Sequence, residues 1–193
     1  MKSVCIYCSS SAKIQASYFT ATADVARFMA EDDIQIVCGG GAQGLMGQLA
    51  DTTRQHNGQI VGILPEFMIE VEWDHKDLDE LVVVETMYER KMMMLDRSEG
   101  VLMLPGGTGT FEEFFEAVTL KRLGRIQHPI VILNVDGYFD PLLEMLHRSI
   151  NENFMHDKHR DMWQVVQKAH EVIPALKNGG DWGPNALDYA VVR

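Results

Sequence analysis

The sequence predicts an α/β fold: one doubly wound parallel sheet with helices on both faces. Three observations carry that expectation. Six short apolar runs of strand length, from residues 4–8 to residues 130–133, alternate with stretches of helical periodicity. The runs are continuous instead of alternating in polarity, as in strands buried on both faces. Glycine-rich turns follow two of them and open helices. With right-handed crossovers, such a chain makes one layered domain.

Residues 4–8 read as the first strand, followed by Ser9, Ser10 and Ser11, hydroxyls that cap a helix or touch a ligand. A helix over 16–30 follows, with Phe19, Val25, Phe28 and Met29 at core spacing. The second strand, 34–38, runs into a glycine loop at 39–47 that opens a helix to His56. Residues 60–64 form the third strand, ended by Pro65, and 66–80 are too mixed to assign. The fourth strand is 81–84, and a helix covers 87–97. The fifth strand, 100–104, enters Pro105-Gly106-Gly107-Thr108-Gly109-Thr110, after which Phe111, Phe114, Phe115, Val118 and Leu123 recur at helical spacing up to Gly124. The sixth strand is 130–133, with helices expected at 141–151 and 161–176. One nucleotide-binding domain thus spans 1–177, and the turn-rich tail, 178–193, is expected to be mobile.

At 193 residues the chain can bury one full core but is short for two. A net charge of −11 disfavours nucleic acid and anionic membranes as partners. No apolar run reaches the about 20 residues of a membrane span, and Met1-Lys2-Ser3 leads straight into a strand, so no signal peptide is expected. The three cysteines, Cys5, Cys8 and Cys38, fit a reducing, cytoplasmic setting. Cys5-x-x-Cys8 has redox spacing, yet it lies in a strand where buried thiols are expected. His156-x-x-His159 lacks a third ligand nearby, so no metal is expected.

The turn at 105–110 carries the chemistry. Three glycines leave room for a ligand, and the free N–H groups of a helix start suit a phosphate. Thr110-x-x-Glu113 also fits a capping box, a purely structural use. Set in the first helical turn, Glu113 is expected to stay ionised, which suits it to support a sugar cation or activate water and not to serve as an acid. Gly39-x-Gly41-x-x-Gly44 matches the dinucleotide fingerprint, but on the second strand and without a clear acidic partner, since Glu66, at about the right distance, lies beyond Pro65. No Lys-Ser or Lys-Thr follows, which excludes a Walker loop. A phosphate or backbone-approach loop remains. Arg90 and Lys91 open a helix where the dipole disfavours cations, so an anionic partner would offset the mismatch. Met92, Met93 and Met94 read as core or subunit interface.

Together these residues resemble the Lonely guy (LOG) family, often described as lysine decarboxylases. Its hallmark PGGxGTxxE stands here as Pro105-Gly106-Gly107-Thr108-Gly109-Thr110-Phe111-Glu112-Glu113. The likeness runs from Cys8-Ser9-Ser10-Ser11 to Leu133-Asn134-Val135-Asp136-Gly137-Tyr138 and includes the loop at 39–47 and the pair Arg90-Lys91. The resemblance implies a Rossmann-like fold and a hydrolase without cofactor. Such an enzyme cleaves the N-glycosidic bond of a purine nucleoside 5′-monophosphate, cytokinin riboside monophosphate or AMP, to free base and ribose 5-phosphate. It implies Arg90 and Glu113 as the catalytic pair, and Glu72, Arg90, Lys91, Gly106, Gly107, Thr108, Gly109, Thr110, Phe111 and Glu112 as substrate contacts. Ser10, Gly41, Gly44 and Met46 are added as further contacts, and a homodimer or higher homo-oligomer is expected. Tyr88 departs from the family, where many members carry His, as do the basic segment 119–124 and the tail with Trp182. Two other readings stand beside this one. A nucleotide-binding sensor would hold AMP without turnover, and a pyridoxal-phosphate decarboxylase would need a Schiff-base lysine that no residue evidently supplies.

Overall fold

The computed structural model describes residues 1–71, 73–179, 182, 183 and 185–191. Seven strands form one parallel sheet: β1 (Ser3–Tyr7), β2 (Gln35–Cys38), β3 (Ile60–Pro65), β4 (Glu80–Val84), β5 (Val101–Met103), β6 (Ile130–Leu133) and β7 (Gln164–Val166). Between them run α1 (Ala16–Glu31), α2 (Gly44–Gln55), a single turn α3 (Glu66–Ile69), α4 (Met87–Asp96), α5 (Thr108–Arg122) and α6 (Asp140–Asn151), with α7 (Val172–Lys177) after the last strand.

The continuous apolar strands are explained by burial on both sides. Val4 and Ile6 of β1 pack into one core with α1, α2 and α7, while Cys5 and Tyr7 pack into the other with α4, α5 and α6. Cys5 and Cys8 therefore belong to different faces. All three cysteines are free and buried, and burial pushes the Cys38 thiol up to about 11. These are core thiols, not a redox pair.

Strand order is β4-β3-β2-β1-β5-β6-β7, so the chain builds outward from β1, then returns to its other side. There Ile6 pairs with Leu102 and Tyr7 with Met103. Crossovers diverge above this pair, leaving the crevice where doubly wound sheets bind ligands.

One expected element is replaced. Residues 161–176 form no continuous helix but a 3-10 turn (Asp157–Met162), then β7, then α7. β7 pairs with β6, Val131 opposite Gln164 and Leu133 opposite Val166, so tertiary pairing decides a segment of mixed local preference. Pro174 has no N–H to give and sits in the first turn of α7, where none is needed. Beyond it, Trp182 is buried and its indole N–H donates to the Lys121 carbonyl at 2.6 Å, against the C-terminal end of α5. Among the described residues, no helix is long and apolar enough to cross a membrane.

Candidate active site

A cleft of about 580 Å³ opens at the C-terminal ends of β1, β2 and β5. Four segments build its polar side: Ser9, Ser10 and Ser11 after β1, Gly39, Gly41, Ala42 and Gln43 after β2, Arg90 of α4, and Gly107 through Thr110 with Glu113 of α5.

The start of α5 carries no side-chain cap. Its cap position is Gly107, which has no side chain to offer the first-turn amides. Among the described residues nothing accepts from the Thr108, Gly109 and Thr110 N–H groups, which open onto the cleft. A Cβ on Gly107 or Gly109 would meet nothing within 4 Å, so both glycines border free space. Gly106 is different: a Cβ there would strike the Thr110 side chain, and its carbonyl accepts from the Tyr138 hydroxyl at 2.7 Å.

This start of α5 overturns the capping-box reading of Thr110 and Glu113. Thr110 is already inside the helix, and Glu113 lies in its second turn. A capping box stands instead at α4, where Thr86 Oγ1 accepts from the Glu89 N–H at 3.1 Å and Glu89 Oε2 accepts from the Thr86 N–H at 3.3 Å.

α4 brings Arg90 into the cleft. Its Nε donates to the Ile63 carbonyl at 3.0 Å and its Nη2 to the Gly39 carbonyl at 3.4 Å, fixing the guanidinium plane against β3 and β2. Nη1 lies 3.4 Å from Glu113 Oε1, and both side chains are buried. Burial pushes the Glu113 carboxyl up to about 7, the Arg90 charge restraining the rise and Glu112 adding to it. The expectation of a firmly ionised Glu113 is therefore corrected. Desolvation outweighs a helix dipole that fades within the first turn, so Glu113 gains and loses a proton near neutrality.

Lys91, next to Arg90 in sequence, points elsewhere. It ion-pairs with Glu112 and with Glu116 (3.3 Å), and neither Lys91 nor Glu112 lines the cleft. Phe111 packs edge-on against Phe139, with ring centroids 6.5 Å apart. Glu72 lies outside the described residues.

Of the loop after β2, Gly41 and Met46 line the cleft with Ser10, and Gly44 does not. Gly44 has φ +63°, and a Cβ on it would come within 2.5–2.7 Å of the Ser10–Ser11 peptide. It lets the two loops touch. The Leu45 and Met46 amides both donate to the Ser9 carbonyl, at 2.9 and 3.3 Å. The other wall is apolar and was not singled out from sequence: Met68, Trp73, Met87 and Met94. The Trp73 carbonyl accepts from Ala42 N–H at 2.9 Å, which ties that wall to the glycine loop. No local motif marks these residues; Met94 was read, with Met92 and Met93, as core or subunit interface.

Comparison with known proteins extends the likeness over most of the chain. A family model described as "Possible lysine decarboxylase" matches residues 46–176. An Arabidopsis thaliana protein named probable cytokinin riboside 5'-monophosphate phosphoribohydrolase LOG6 is 36% identical over 176 residues, 91% of this chain and 88% of that protein. Cytokinin riboside 5'-monophosphate phosphoribohydrolase LOG2 of the same plant is 32% identical over 174 residues, 90% of this chain and 82% of its own length. The solved structure of a molybdenum cofactor binding protein from Rippkaea orientalis superposes with a TM-score of 0.69 over 92% of this chain and 96% of that one. At 16% identity, that likeness is one of fold alone.

Proposed function

Because this chain belongs to the Lonely guy family of phosphoribohydrolases, we propose that it hydrolyses the N-glycosidic bond of a purine nucleoside 5′-monophosphate, AMP or a cytokinin riboside monophosphate, to free base and ribose 5-phosphate. The observation that carries this is the placement of the Arg90–Glu113 pair in the same cleft as an uncapped helix start.

The phosphate binds the Thr108, Gly109 and Thr110 amides, and this remote contact aligns the sugar. As the bond from C1′ to the base breaks, C1′ takes on positive charge. Ionised Glu113 stabilises that charge and takes a proton from the water that adds at C1′. With a midpoint of about 7 it then returns that proton, which the departing base nitrogen receives. Arg90 keeps its proton throughout and acts by charge and position, held by the Ile63 and Gly39 carbonyls.

The sensor reading is not favoured, since holding a nucleotide needs the amides but no buried carboxylate poised near neutrality. Chromatography of a nucleotide panel incubated with purified protein tests the proposal. Base and ribose 5-phosphate should appear together without added metal or NAD. Binding without base release from any monophosphate would return the sensor.

A further inference from the structure

Lys91 follows Arg90 by one residue, so the two side chains leave α4 about 100° apart. Arg90 enters the cleft and Lys91 enters the seam between α4 and α5. There its ammonium is nearly buried, bridging Glu112 and Glu116, the residues one before and three after Glu113. We propose that Lys91 is a positioning residue: by bridging Glu112 and Glu116 it locks α5 to α4 and holds Glu113 opposite Arg90, without touching the nucleotide. This rests on reading Glu113 as the group that acts at the sugar.

The charges around Glu113 explain why the bridge matters. Arg90 and Lys91 face it from α4, Glu112 and Glu116 from its own helix, and Tyr7, Cys5, Cys8 and Cys38 from the strands beneath. The thiols and the phenol are neutral near pH 7, because burial raises them all. Two carboxylates therefore push the Glu113 midpoint up, and two cations hold it down. Removing Lys91 leaves both carboxylates without their cation and removes this α4–α5 tie beside Glu113.

The test is the pH dependence of kcat, with KM for AMP, in Lys91→Met and Lys91→Arg. In Lys91→Met the acid limb of kcat should move to higher pH by ~0.5–1 unit. At pH 7 kcat should fall by ~3–10-fold with KM within about 2-fold, because alignment and ionisation are lost and binding is not. Lys91→Arg should restore most of both. A KM raised by about 10-fold or more with the acid limb in place would make Lys91 a direct nucleotide ligand and overturn the proposal. No change in either quantity would overturn it equally, leaving an ion pair that does not act on Glu113. If Lys91→Met does not fold, Glu112→Gln with Glu116→Gln probes the bridge from the other side. Its acid limb should move to lower pH, and an unmoved limb contradicts the account. Should the unaltered protein release no base at all, the functional reading fails separately. Carboxyl NMR titration of Glu113 then decides Lys91's role, because its midpoint should still rise in Lys91→Met.

Discussion

The glycine loops at 39–44 and 105–110 flank β1 on either side, each between a strand and a helix, and their compositions are close. They do different work. At the start of α2, the Leu45 and Met46 amides are taken by the Ser9 carbonyl, so this helix end binds its own chain. At the start of α5 the Thr108, Gly109 and Thr110 amides have no protein acceptor among the described residues. Gly39 and Gly44 exist for close approach: a Cβ on Gly39 would strike the Arg90 guanidinium, and one on Gly44 the Ser10–Ser11 peptide. Gly107 and Gly109 border empty space. Glycine content thus marks a sharp turn in both, but only amides left without a partner make an anion site.

If that contrast is right, removing the substrate's phosphate should have the largest effect. Losing the charge-assisted contacts to these three amides should lower kcat/KM for the nucleoside by about 10²–10⁴-fold relative to the monophosphate. Equal rates for the two would erase the distinction between the loops.

Single methyl groups sharpen it next. Gly44→Ala combines positive φ with a backbone clash, so a loss of about 3 kcal/mol, or ~6–12 °C in Tm, is expected. Gly109→Ala should leave Tm within about 2 °C yet raise KM for AMP ~10-fold, since its methyl enters the phosphate's space. A thermal melt and a KM on each variant suffice. The reverse pattern would exchange the roles of the loops.

A smaller effect concerns stability. Glu113 binds its proton more tightly in the folded protein, with a midpoint of about 7 against an ordinary 4.5. Its stabilising contribution is complete below pH 4.5 and is lost as pH rises through 7, a difference of about 3 kcal/mol. Glu113→Gln mimics the neutral acid, so it should melt ~3–10 °C above the unaltered protein at pH 8 and nearly with it at pH 4.5. A lower melting temperature at pH 8 would mean that the Arg90 ion pair outweighs desolvation.

The first six strands were legible because strands buried on both faces need little besides apolar side chains. β7 was not: it has three residues, Gln164 among them, and exists because the open edge of β6 pairs with it. Pro174, two residues short of the end of the expected helix, gave no signal against its earlier part. The motif at 105–113 marked the open start of α5 and Glu113, but not their electrostatics. A carboxyl midpoint near 7 depends on what α5 packs against, which no local pattern records. Lys91 and Arg90 looked equivalent as neighbours, and only the helix phase relative to α5 separates them. The wall of Met68, Trp73, Met87 and Met94 comes from three separate segments, so no spacing could reveal it.

Glu113→Gln tests the central claim most directly, read as base release and nucleotide affinity at pH 7. Turnover should fall by ~100-fold or more, because the amide can neither take the water's proton nor balance the sugar cation. Affinity for AMP should stay within about 3-fold, since the α5 amides proposed to hold the phosphate are untouched. Near-normal turnover in Glu113→Gln would contradict the account and leave the carboxyl a buried structural partner of Arg90.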